Sequence, residues 1–255
     1  KKTRRPKSVS LQDYARYHLP GNLDLAPRQV IETRIKSRKS DHTITTDTIP
    51  AVQTLFDWVC AATPAYRTTV LLGGFGMGKT VTAQLLAQKL HDVRQQNDAI
   101  PTPVYLDFRR LIPQTRHGEA VTTGIDELIF IALEPEHTEH QRAGQLRDLI
   151  RTEPCVVIFD GLDEIGNRIG REHAVQLYRR FLELIPSDVR QAEARAKIAD
   201  YSVCPTRLLL TCRTHFFRDL REQDGFFTGA HRSHSGSNRY QEYHMAPLSL
   251  DKIQE

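Results

Sequence analysis

The sequence predicts an α/β fold, a three-layer sandwich in which a mostly parallel sheet of five strands lies between helices. Three observations predict it. Short apolar runs of strand length alternate with amphipathic helical patterns, which implies parallel strands joined by crossover helices. A glycine-rich loop, Gly73 to Thr80, falls between one such strand and the next helical pattern. A fully apolar run, Cys155-Val156-Val157-Ile158-Phe159, ends in Asp160 and suits a strand buried on both faces.

Each element follows in chain order. Residues 1–47 are polar and irregular and read as an extension or linker, with a turn at Pro20-Gly21 and a helix expected over Pro27–Arg38. The core is expected to run from 48 to 255. Thr46-Asp47-Thr48-Ile49-Pro50 is a helix start signal, and Ile49, Val52, Phe56 and Val59 follow at helical spacing. Trp58 is expected at the edge of that helix. Thr69–Leu72 reads as the first strand. Beyond the loop, Val81, Leu85, Leu86, Leu90 and Val93 form a helical stripe.

Pro101-Thr102-Pro103 breaks the chain before the second strand, Val104–Leu106. Helices are expected over Ile125–Leu133 and Gln141–Arg151, then the third strand at Cys155–Phe159. Ala174, Leu177, Tyr178, Phe181, Leu182 and Ile185 mark another helix, and Arg179-Arg180 its wet side. A polar stretch, Ser187–Pro205, leads to the fourth strand, Arg207–Thr211. Gly225–Asn238, rich in Gly, Ser and His, reads as a surface loop, and Tyr240–Met245 as the fifth strand. Phe216-Phe217 and Phe226-Phe227 are expected to pack into the core on either side of a turn.

The 255 residues are 39% hydrophobic and 26% charged, which excludes wholesale disorder. A net charge of +4 neither requires nor excludes nucleic acid, and the basic run Lys1–Lys7 reads as a solvated tail. Cys60, Cys155, Cys204 and Cys212 form no CxxC pair or regular framework, which fits a reducing cytoplasm. No apolar run approaches the roughly 18 residues that span a bilayer, so no membrane association is expected. The chain starts without methionine and its last residues look like a helix cut short, so a longer parent is expected.

Gly73-Gly74-Phe75-Gly76-Met77-Gly78-Lys79-Thr80 fits the phosphate-binding pattern G-x-x-x-x-G-K-[ST], with Val81 continuing into the helix. Backbone N–H groups must curl around phosphate oxygens, and glycines leave them unobstructed; the helix N-terminus adds its dipole. Lys79 is the candidate for the β- and γ-phosphates, and the Thr80 hydroxyl for Mg²⁺. The second motif is the acidic end of the third strand, Asp160-Gly161-Leu162-Asp163-Glu164. Asp160 is the candidate to hold Mg²⁺ through water, and Asp163 or Glu164 to orient or deprotonate the attacking water. Arg213, at the tip of the fourth strand, is the candidate to sense phosphate charge. These motifs imply a P-loop site for ATP or ADP with Mg²⁺, with GTP and dATP open, and their resemblance to P-loop ATPases implies the strand order 5-1-4-3-2.

The residues Asp160 to Glu164 resemble the acidic motif of NACHT domains. Thr211-Cys212-Arg213 resembles their sensor motif, and Tyr243–Leu250 resembles the segment that closes their core. The resemblance covers roughly Thr48 to Glu255. It implies a STAND-type signalling ATPase, a slow hydrolase that exchanges ADP for ATP, forms a homo-oligomer and activates an attached effector under a sensor domain, in anti-phage or innate immune defence. The competing expectation is an AAA+-like DNA-handling or remodelling motor, which Gly161 weakens because motors often carry the catalytic acid there. A third is a nucleotide-binding module that never hydrolyses.

Overall fold

The structure is a computed structural model that describes residues 10–12, 32–39, 42–108, 115–116, 119–120, 140–196, 201–217, 223 and 240–247. Its main sheet is built from strands β1 (Arg34–Ser37), β2 (Ile49–Pro50), β3 (Thr68–Leu72), β4 (Thr102–Asp107), β7 (Cys155–Asp160), β8 (Arg207–Cys212) and β9 (Tyr240–Met245). A separate two-stranded hairpin joins β5 (Thr115–Arg116) and β6 (Glu119–Ala120). The helices are α1 (Ala51–Cys60), α2 (Lys79–Arg94), α3 (His140–Thr152), α4 (Leu162–Ile169), α5 (Arg171–Leu182) and α6 (Ser187–Ala196).

The order across the sheet is β2-β1-β9-β3-β8-β7-β4. The five expected strands stand in it in the order 5-1-4-3-2, all parallel to one another. The count of five is corrected to seven among the described residues: β1 adds antiparallel to the outer side of β9, and β2 antiparallel to β1. The helix expected over Pro27–Arg38 is likewise corrected: Arg34–Ser37 is a strand, paired Ile35 to Met245 and Ser37 to Tyr243. Local propensity is a weak prior, and ladder hydrogen bonds to an otherwise open sheet edge override it.

Alternation along the strands sends side chains into two cores. Val70, Leu72, Val104, Leu106, Val157, Phe159, Leu208 and Leu210 pack under α3, α4, α5 and α6. Leu71, Tyr105, Val156, Ile158 and Leu209 face α1 and α2. Phe108, Phe159 and Phe181 meet at the first core, with Phe159 and Phe181 centroids 4.6 Å apart. This cluster seats Phe159 against α5 and so anchors the end of β7, next to Asp160.

Two helical stripes differ in detail. In α1 the buried face is Ala51, Leu55 and Val59, while Ile49 is exposed in β2. Trp58 is half-buried and its Nε1–H donates to the Tyr66 carbonyl at 2.9 Å. In α2 Thr82, Ala83, Leu86, Ala87 and Leu90 are buried, so small residues let the helix lie close on the sheet. The stretch after Ser187, expected only as polar, begins with α6, which buries Val189. Phe217 is buried and Phe216 packs against it edge-on. The expected helix over 125–133, Phe226-Phe227 and the loop 225–238 lie outside the described residues.

Candidate functional site

The C-terminal ends of β3, β7 and β8 meet at one edge of the sheet, where a doubly covered parallel sheet opens its crevice. A cleft there is lined by Phe75 to Val81, by Gly161, Asp163 and Glu164, and by Thr211 and Arg213. Every residue singled out from the three motifs is therefore in or against one site. Gly73, Gly74 and Asp160 sit just outside the lining.

The loop between β3 and α2 depends on glycine at Gly76 and Gly78, whose φ values are 73° and 86°. L-residues disfavour that region. At Gly78 a Cβ would also stand 3.0 Å from Thr33 Cγ2. The Lys79 ammonium lies back across the loop and donates to the carbonyls of Gly73 at 2.9 Å and Gly74 at 2.8 Å. Burial pushes its pKa below the ordinary lysine value, while Asp163 and Asp160 pull the other way. The Gly74 N–H lies 2.9 Å from Met77 Sδ.

Asp160 is fully buried and its carboxylate is held by hydroxyls. Oδ1 accepts from Thr211 Oγ1 at 2.5 Å and from Thr80 Oγ1 at 3.3 Å, and Oδ2 accepts from Tyr105 Oη at 2.8 Å. Thr211 Oγ1 also accepts from the Gly161 N–H at 3.0 Å, so one hydroxyl ties β8 to the end of β7. Gly161 has φ of 84° and starts α4, turning the chain so that Asp163 and Glu164 fall in that helix's first turn. Asp163 accepts from the Arg213 backbone N–H at 3.1 Å, and its other oxygen forms an ion pair with Arg213 Nε at 2.7 Å. The Arg213 guanidinium also lies over the Phe75 ring, 5.1 Å from its centroid. Cys212, between Thr211 and Arg213, is fully buried, and burial raises its thiol well above the ordinary value.

The donor set fits a magnesium-bound polyphosphate. Lys79 and Arg213 supply positive charge, the loop and the start of α2 supply N–H groups, and Thr80 Oγ1 beside Asp160 Oδ1 makes an oxygen pair suited to a hard cation.

Three contributors were not read from the sequence. Thr211 and Tyr105 hold Asp160, and the available signal was polar groups inside otherwise apolar strands. Thr33, just before β1, meets Thr82 of α2 through hydroxyls 2.8 Å apart. Along β1 and β9, Arg38 and Glu242 form a buried ion pair at 2.6 Å, with His244 Nε2 2.5 Å from the other carboxylate oxygen and Gln223 donating at 2.6 Å. Burial raises the Glu242 pKa, but hydrogen bonds and charge from His244 and Arg38 outweigh it and hold the carboxyl below its usual range. Among the described residues no cluster of His, Cys, Asp and Glu has metal-site geometry, and no helix is long and apolar enough to cross a membrane.

Comparison with known proteins adds the following. A search of curated proteins gives no match. Among solved structures, the Aeropyrum pernix ORC1 protein in complex with DNA is similar, with 15% identity and a TM-score of 0.46, over 80% of this chain and 46% of that one. The chain thus spans under half the length of that structure. The model of the NACHT domain family matches residues 67–228, well over half the chain. That match runs from the start of β3 through the P-loop, the acidic end of β7 and the tip of β8, and this chain belongs to the NACHT family of nucleotide-binding P-loop NTPases.

Proposed function

We propose that the chain is the core of an ATP-binding, slowly hydrolysing signalling switch. In this reading nucleotide exchange drives homo-oligomerisation and activates an effector, in anti-phage or innate immune defence. The observation that carries it is the convergence of Lys79, the Thr80–Asp160 pair and the Arg213–Asp163 pair on one cleft. Lys79 exchanges its two carbonyl partners for β- and γ-phosphate oxygens, and the N–H groups from Gly74 to Val81 surround the phosphates. Thr80 and Asp160 would hold Mg²⁺, which would supply positive charge against the phosphates. Glu164 or Asp163 orients the attacking water, and Arg213 reads the γ-phosphate.

Residues 1–47 serve as the extension toward further domains and 48–255 as the switch core, although β1 belongs to the core's sheet. Four free cysteines support a cytoplasmic setting. Oligomerisation, effector and trigger are carried over from the NACHT family. The test is to denature the purified full-length parent and identify released nucleotide by chromatography and mass spectrometry. Stoichiometric ADP is expected. An empty site with fast ATP turnover overturns the switch in favour of a motor. Lys79→Ala is expected to abolish binding, and retained tight binding overturns the site.

A further inference from the structure

Phe75 is the most exposed large hydrophobic side chain among the described residues, at 83%, although it lies within the phosphate loop. Burial of apolar area does not explain it, because little of the ring is removed from water. Loop geometry does not explain it either, since the positive-φ positions on either side of Met77 are glycines, Gly76 and Gly78. The contact the ring does make is with the Arg213 guanidinium, 5.1 Å from the centroid. Arginine stacks on aromatic faces in this range, electrostatically and by dispersion.

The other restraints on Arg213 come from Asp163, through Nε at 2.7 Å and the backbone N–H at 3.1 Å. Of these, only the Nε contact involves the guanidinium, and the Phe75 ring covers its face. The two Nη groups, which carry the bidentate donors, make no hydrogen bond with a described residue, and Arg213 lines the same cleft as Lys79 and Thr80. A side chain with many rotamers is thus held at Nε and on its face, with its Nη groups uncommitted among the described residues. Such pre-organisation matters most for a ligand group that meets the donor end alone.

We propose that Phe75 is a positioning residue for Arg213, and that its ring sets the site's preference for a nucleoside triphosphate over the diphosphate. The proposal rests on the nucleotide-switch reading above and deepens it. Loss of the ring releases Arg213 to other rotamers, which weakens the γ-phosphate contact and leaves the contacts to the α- and β-phosphates in place.

The test is isothermal titration of the full chain with magnesium and either ADP or β,γ-imido-ATP, for wild type, Phe75→Ala, Phe75→Tyr, Arg213→Ala and the Phe75→Ala/Arg213→Ala double variant. Phe75→Ala is expected to weaken the imido-ATP complex about three- to tenfold and the ADP complex by less than about twofold. Phe75→Tyr keeps the ring and is expected to restore wild-type preference. In the Arg213→Ala background the Phe75 change is expected to be silent. Equal loss for both nucleotides, which a distorted loop produces, overturns the proposal, as does an unchanged preference in Phe75→Ala or an additive effect in the double variant. Wild-type chain that binds neither nucleotide overturns the nucleotide-site reading itself, and the proposal with it.

Discussion

Arg213 Nε stands 2.7 Å from Asp163 Oδ2, and the backbone N–H of the same arginine donates to Asp163 Oδ1 at 3.1 Å. One carboxylate therefore fixes both the main chain and the side chain at the tip of β8. Asp163 is only 5% exposed, so loss of this partner would leave a buried carboxylate without its nearest counter-charge. The pair joins the third and fourth expected strands at the point where the γ-phosphate is proposed to lie.

Replacing Asp163 by Asn keeps the shape and removes the charge. Hydrolysis is expected to fall about tenfold or more, with stability lower by about 1 kcal/mol. Phosphate release under single-turnover conditions and urea unfolding check the two numbers. Full hydrolysis in the Asn variant would remove Asp163 from the machinery.

Thr211→Val removes the hydroxyl that donates to Asp160 and accepts from the Gly161 N–H, at nearly constant volume. Two buried polar groups each lose a partner, and a destabilisation of about 1–3 kcal/mol is expected. A change below about 0.5 kcal/mol in urea unfolding would mean the hydroxyl is dispensable.

Gly78→Ala forces a side chain into φ of 86° and toward Thr33. The strain is expected to cost about 1–2 kcal/mol and to displace the loop, weakening nucleotide binding along with the fold. Calorimetric melting and ADP titration on the same sample test it. Unchanged affinity would show that the loop does not need this backbone conformation.

The buried Arg38–Glu242 pair makes a pH prediction. The folded Glu242 pKa lies below the ordinary value of 4.5, so the native state binds its proton less readily than the unfolded chain. Its contribution is present above the unfolded value and is lost as pH falls through the folded value. Wild type is therefore expected to lose stability below about pH 4.5, and Glu242→Gln to show a shallower slope there and lower stability at pH 7. Equal acid slopes in the two proteins would remove Glu242 as the titrating group.

Thiol labelling gives a simpler check. Cys155, Cys204 and Cys212 are fully buried, and burial pushes the Cys155 thiol up to about 12, while Cys60 is half-buried. Native protein is expected to react slowly and only at Cys60, with all four thiols appearing on unfolding. Rapid native labelling at Cys155 or Cys212 would contradict the packing of β7 and β8.

The sequence by itself determined the elements whose signal is local. The P-loop, the strand ending in Asp160, the strand just before Arg213 and the fifth strand over Tyr240–Met245 are all written in runs of five to eight neighbouring residues. Parallel pairing followed from the alternation of strands and helices, and the order of these strands from their likeness to P-loop ATPases.

Tertiary structure alone decided what depends on distant partners. Arg34–Ser37 has no strand pattern of its own and becomes a strand through β9, with Arg38 paired to a glutamate 204 positions away. Thr211 and Tyr105 meet Asp160 only because lateral register places three strand tips side by side. The stripe of α1 shifted to Ala51, Leu55 and Val59 because Ile49 was taken by β2. Periodicity records which residues are apolar, whereas register, edge pairing and the company of a buried carboxylate are set by contacts between segments that the chain brings together only on folding.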